Sequence, residues 1–200
     1  MRKIGILGGS FDPFHKGHLS IAKAAMKECD LTQIILLPAR VQPFKVGRTM
    51  ASEEDRVNMV SLIARETQNF AVSTIEAYGG EVSYTYDTLQ ALKKQYPADR
   101  LYFILGTDAF LSLETWHRGK ELLQEFSFIV GVRPGCRENE TEETALRFTD
   151  SYGTCVKILH NRVLEVSSTE IKQNIRAGKS ISELVPYAVE RYIHEHGLYQ

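Results

Sequence analysis

Residues 8–18 read GGSFDPFHKGH, directly after the apolar run 4–7 and ahead of a helical pattern. Gly8 and Gly9 let the backbone come close to a ligand. The helix that follows offers free N–H groups and a positive dipole end, which suits a phosphate. His15 falls just before that helix and His18 in its first turn, so both can face the same phosphate. An imidazole can donate hydrogen bonds to charge that develops on phosphorus. An isolated histidine is more often a cap or a packing residue. A pair three apart, after a strand and two glycines, favours the phosphate reading. No GK[ST] follows, so this is not a Walker loop, and the GxGxxG dinucleotide fingerprint is absent. A second hydroxyl cluster, VSSTEIKQNI at 166–175, is a strand-like run opening into a helix. Ser167 with Glu170 fits a capping box, and Ser168 and Thr169 add donors for phosphate.

The elements that must position these groups alternate along the chain. Strand patterns fall at 3–7, 33–39, 69–76, 100–106, 126–132, 156–159 and 163–167. Helical patterns fall at 17–28, 52–65, 85–96, 117–126 and 168–178, with a last helix after Pro186. Residues 140–148 are ambiguous between loop and short helix, and the polar stretch 133–144 reads as a surface loop. Continuous apolar strands such as QIILLPA imply burial on both faces. Strands alternating with helices imply an α/β fold. We expect a doubly wound, Rossmann-like, mostly parallel sheet with helices on both faces and C-terminal helices. In such sheets ligands bind beyond the carboxyl ends of the strands, where the GG loop lies.

The chain has 200 residues, 43% hydrophobic and 24% charged. That composition suits one globular domain, 1–200, with no large second domain. The net charge of −1 supplies no basic field for nucleic acid. Cys29, Cys136 and Cys155 form no CxxC or Cys/His pattern, which fits reduced thiols and no protein-held metal. No signal-like segment and no apolar run near the roughly 20 residues of a membrane span is found. The expected location is cytoplasmic, without a membrane partner.

The loop GGSFDPFHKGH resembles the HxGH signature of the nucleotidyltransferase superfamily, and VSSTEIK resembles its ISSTxIR motif. Further segments resemble those of nicotinate-nucleotide adenylyltransferases. EVSYTYDTLQALKKQYP (81–97) is similar to their PSYTxDTL segment, and FILGTDAFLSLETWHRGKELL (103–123) to their IxGxDxxxxLxxW segment. QPFKVGRTMASEEDRVNM (42–59) is similar to their PPHK loop and SxxxRxxM helix, and VPYAVERYIHEHGLY (185–199) to their closing helix. The resemblance covers nearly the whole chain. A pantetheine-phosphate adenylyltransferase shares the fold and the HxGH loop but lacks the SYTxDTL and GxDxxxxLxxW segments. A homologue that prefers the nicotinamide nucleotide stays open, as does a binding module without catalysis.

The resemblance implies adenylyl transfer from ATP to nicotinate mononucleotide, giving deamido-NAD and pyrophosphate. It implies direct in-line attack without a covalent intermediate. Those two small molecules are the implied partners, Mg²⁺ bound with ATP is the implied cofactor, and a homo-oligomer is compatible with it. By implication Gly8, Gly9, Ser10, Phe11, His15, His18, Gly106, Asp108, Ser168, Thr169 and Lys172 bind ATP. His18, His15 and Lys172 are the implied catalytic group. Ser10, Lys45, Tyr84, Thr85 and Trp116 are the implied nicotinate mononucleotide contacts. Three residues are also read more plainly: Asp108 as a helix-start carboxylate, Trp116 as a core anchor and Lys45 as a surface lysine. Three positions depart from the resembled motifs. Phe44 replaces the histidine of PPHK, Val82 the proline of PSYT, and Lys172 the arginine of ISSTxIR.

Overall fold

The computed structural model describes residues 1–40, 50–77, 84–132, 138–160, 164 and 166–200. Its apolar runs become β1 (Lys3–Gly9), β2 (Gln33–Pro38), β4 (Arg100–Gly106) and β5 (Ser127–Gly131). With β3 (Phe70–Val72) and β6 (Val156–Leu159) they form one six-stranded sheet, ordered β3-β2-β1-β4-β5-β6. Every pairing is parallel. Strand side chains alternate between faces. Ile34, Leu36, Tyr102, Ile104 and Ile129 enter one core. Ile35, Leu37, Leu101, Phe103, Leu105 and Phe128 enter the other.

Helices α1 (Lys16–Cys29), α2 (Glu53–Glu66), α7 (Ser168–Arg176) and α8 (Tyr187–Glu195) close the first core. Helices α3 (Thr85–Gln95), α4 (Thr107–Leu111), α5 (Gly119–Glu125) and α6 (Glu138–Tyr152) close the second. This is the doubly wound parallel architecture expected above. Since β1 lies between β2 and β4, the chain leaving β1 and the chain leaving β4 pass to opposite faces. A crevice therefore opens beyond their carboxyl ends.

Four local readings differ. Only Phe70–Val72 of 69–76 is strand. Residues from Glu138 onward belong to α6 rather than a loop, because Thr141, Ala145 and Phe148 recur on one buried face at helical spacing. Leu164, Val166 and Ser167 form no strand. Leu164 and Val166 instead line the crevice, and the Leu164 N–H donates to Ser20 Oγ at 3.2 Å. Ser167 does cap α7, accepting the Glu170 N–H at 3.1 Å, but the return bond of a capping box is not made among the described residues.

A 3₁₀ turn, Leu113–Thr115, follows α4 and presents Trp116. The turn is held by Gly119, whose N–H donates to the Trp116 carbonyl at 2.9 Å. A Cβ on Gly119 would lie 2.2 Å from the Leu113 carbonyl oxygen and 2.8 Å from that of Glu114. Both obstacles are backbone and cannot swing away. Gly119→Ala should destabilise the fold at the upper end of the roughly 1–3 kcal/mol of overpacking. Denaturant unfolding measures the loss, and Trp116 fluorescence should shift in the folded state.

Candidate active site

The α1 start is built by its two histidines. His15 is the N-cap, and its Nδ1 accepts the His18 N–H at 3.3 Å. His18 Nδ1 accepts the His15 N–H at 3.2 Å. The rings stack at 3.6 Å with 17° between planes. Both Nδ1 atoms are thus acceptors, so a neutral imidazole at either position carries its proton on Nε2. Phe11 and Phe14 wall the pair, with the Phe11 ring edge-on to His18 at 5.0 Å. This reciprocal cap does locally what the serine–glutamate box does elsewhere.

The crevice holds a space of about 380 Å³ lined by Gly8, His15, His18, Gly106, Trp116 and Ser168, among others. Two helix N-termini, of α1 and α7, open onto it through Gly17–His18 and Ser167–Ser168. No Asp, Glu, Lys or Arg is among its described lining residues. An adjoining space of about 140 Å³ is lined by Gly8, Gly9, Ser10, Arg40, Glu76, Thr85, Phe103 and Trp116, with Met50 at one side. Gly8, Phe103 and Trp116 border both. The Trp116 indole donates to Ser112 Oγ at 3.2 Å and packs edge-on to Phe103 at 6.5 Å. It is therefore half-buried between the two spaces rather than sealed in the core.

The structure thus brings Gly8, Gly9, Ser10, His15, His18, Gly106, Thr85, Trp116 and Ser168 onto the crevice. Phe11 is fully buried behind the histidines, and Asp108 and Thr169 are exposed and line neither space. Tyr84, also exposed, stacks on His117 at 4.0 Å. Lys45, Phe44 and Val82 lie outside the described residues. Lys172 points beneath the loop, where its ammonium pairs with Asp12.

Several residues were not anticipated. Arg40 enters the smaller space two residues past β2, with its Nε 3.6 Å from Glu53 Oε1 in the first turn of α2. Glu76 is 7% exposed; burial pushes its carboxyl above the usual glutamate range, and a hydrogen bond to Thr88 opposes that. Arg56 is fully buried, its Nη1 donating to the carbonyls of Ser10 and Ala39 at 2.7 Å each. It thereby ties the loops after β1 and β2 together. Desolvation lowers its pKa, opposed by the charge of Asp12. The SxxxRxxM resemblance marks Arg56 itself, and the tie between the two loops is what it does not carry. Nothing in the sequence marked Glu76. Among the described residues no group of three His, Cys, Asp or Glu could hold a metal ion. No described helix is long and apolar enough to cross a membrane.

The chain is similar to known proteins along its length. The Cytidylyltransferase-like family model matches residues 6–174. A probable nicotinate-nucleotide adenylyltransferase of Exiguobacterium sibiricum is 40% identical over 98% of this chain and 98% of its own. Its counterpart in Neisseria meningitidis serogroup B is 38% identical over the whole of both chains. Among solved structures, the nicotinic acid mononucleotide adenylyltransferase of Plasmodium falciparum complexed with NaAD superposes with a TM-score of 0.80. At 21% identity, over 100% of this chain and 98% of that one, it speaks for the fold. With identities near two in five over full length, the chain belongs to the nicotinate-nucleotide adenylyltransferases of the cytidylyltransferase-like family.

Proposed function

We propose that this chain transfers the adenylyl group of ATP to nicotinate mononucleotide. An oxygen of the mononucleotide phosphate attacks the α-phosphorus in line, the bond to the β-phosphate oxygen breaks, and deamido-NAD and pyrophosphate result. The observation that carries this reading is the stacked histidine pair facing the larger space, joined to a second space across Gly8, Phe103 and Trp116. One space suits the triphosphate, the other the acceptor. The acceptor phosphate is ionised near neutral pH, so no strong base is required. Catalysis is then alignment of two anions plus stabilisation of charge on phosphorus.

In this reading His18 donates to the reacting phosphate and His15 positions it. Lys172 supplies positive charge, and the N–H groups of α1 and α7 with Ser168 receive the remaining phosphates. Gly106 and Asp108 lie toward the adenosine, at the end of β4. Thr85 opens α3, whose first-turn N–H groups suit the nicotinate carboxylate, and Trp116 offers its face to the pyridine. The divalent metal, Mg²⁺ by preference, travels with ATP, which agrees with a crevice whose described lining offers it no carboxylate. Its contribution when bound is neutralisation of triphosphate charge. We read residues 1–200 as one catalytic domain acting on small molecules in the cytoplasm.

Glu76 lines the smaller space, and burial pushes its carboxyl above the usual glutamate range. Its titration also has a stability cost with a definite sign. The folded chain holds this proton more tightly than the unfolded chain, so the contribution is present at low pH and lost as pH rises through the raised pKa. Glu76→Gln should therefore melt a few degrees above the parent at pH 8 and match it at pH 4 in thermal unfolding.

Two kinetic outcomes test the reading itself. In a pyrophosphate-release assay His18→Ala should lose on the order of 10²–10³ in kcat; turnover near the parent's would remove His18 from the reaction. Nicotinate mononucleotide should exceed nicotinamide mononucleotide in kcat/KM by at least roughly tenfold, the worth of a hydrogen bond to a charged group. Equal turnover would remove the carboxylate from recognition.

A further inference from the structure

Beneath the crevice lies a buried polar junction centred on Asp12, which is 4% exposed. Its Oδ1 accepts the Ala51 N–H at 3.0 Å and the Tyr199 O–H at 2.7 Å. Its Oδ2 takes the ammonium of Lys172. These donors come from three separate parts of the chain: the segment before α2, helix α7, and the stretch after α8. The Tyr199 ring also lies 4.9 Å from Lys172 Nζ, so carboxylate and ring grip the same ammonium. Asp12 itself is three residues from His15, on the loop that carries both histidines. Burial and the neighbouring Asp12 charge push the Tyr199 hydroxyl far above the usual tyrosine range, which keeps it a donor.

We propose that Asp12 is a positioning residue for adenylyl transfer. It holds the Lys172 ammonium at a fixed place beneath the histidine loop, so that its charge acts on the reacting phosphates from a set position, and the Tyr199 hydroxyl fixes the carboxylate that holds it. The inference rests on the function proposed above. Its physical basis is the difference between the two cations that could stand at position 172. A guanidinium is a planar fork that organises its own contacts, whereas an ammonium on a four-carbon stem is a mobile point charge. With lysine there, direction has to come from partners, and Asp12 and Tyr199 are two of them. The arrangement has a cost, because a carboxylate under a phosphate site opposes anion binding. Aim and affinity therefore pull in opposite directions. A group that merely supported the fold would move both the same way.

The test is a mutant cycle on the full chain, with ATP affinity from titration without mononucleotide and kcat from pyrophosphate release. Asp12→Asn keeps shape and removes the charge. It should lower kcat about tenfold, within the coupling range of contacting pairs, while ATP affinity holds or tightens. In a Lys172→Met background the same substitution should no longer lower kcat. Tyr199→Phe leaves Asp12 two donors and covers the case in which Asp12→Asn does not fold. It should lower kcat a few-fold in the parent and not at all beside Lys172→Met. A fall in kcat matched by weaker ATP binding, an equal fall in both backgrounds, or no fall at all would overturn the proposal. Absence of pyrophosphate release by the parent chain would defeat the proposed function instead. The positioning role is then decided by ATP affinity: a loss on Lys172→Met that is smaller beside Asp12→Asn supports it, and an equal loss in both backgrounds overturns it.

Discussion

The central place of β1 between β2 and β4 is the constraint on which the rest of the molecule depends. The two chains that leave these neighbouring strands diverge to opposite faces, which opens a space beyond Gly8–Gly9 and Gly106. Into that gap the loop after β1 delivers two histidines. The turn after α4 delivers Trp116, and the crossover from β6 delivers the start of α7. Each comes from a different connection, and they meet because the parallel register sets the strand ends level. The cores on the two sides, each closed by four helices, hold that register.

Charge is distributed in an unusual order of depth. The groups that face the larger space are imidazoles, hydroxyls and helix-start amides, while Lys172, Arg56 and Asp12 sit below them. A chain of net charge −1 has no diffuse field to draw in two polyanions. Oriented dipoles in a partly desolvated crevice can do so without large reorganisation, because their direction is set by the fold in advance. Of the ions beneath, Arg56 joins the strand-end loops of β1 and β2, while Asp12 gathers three distant segments and holds Lys172 among them.

The sequence carried the fold and the paired-histidine loop clearly. The strands buried on both faces had to be apolar throughout, and the HKGH spacing put two rings on one helix start. It misled at Leu164 and Val166, which look like part of a strand but line the crevice. It left α6 ambiguous at 140–148, because the buried positions include threonine and the other face is polar apart from the exposed Leu146. Pairings such as Asp12 with Tyr199, or Arg56 with the carbonyls of Ser10 and Ala39, join residues far apart in sequence. No local pattern records them. Trp116 is an intermediate case. Its identity suggested either a stacking face or a core anchor, and only the packing against Phe103 and the bond to Ser112 leave it half-open.

Gly8 borders both spaces, and a Cβ there would stand 3.2 Å from the Phe103 ring. The missing side chain is thus an aperture in what would otherwise be a partition. Two anions bound on either side would be kept apart by even a methyl group closing against Phe103. On the function proposed above, the backbone at this position would set the distance of closest approach between reactants, a distance owed to what the residue lacks.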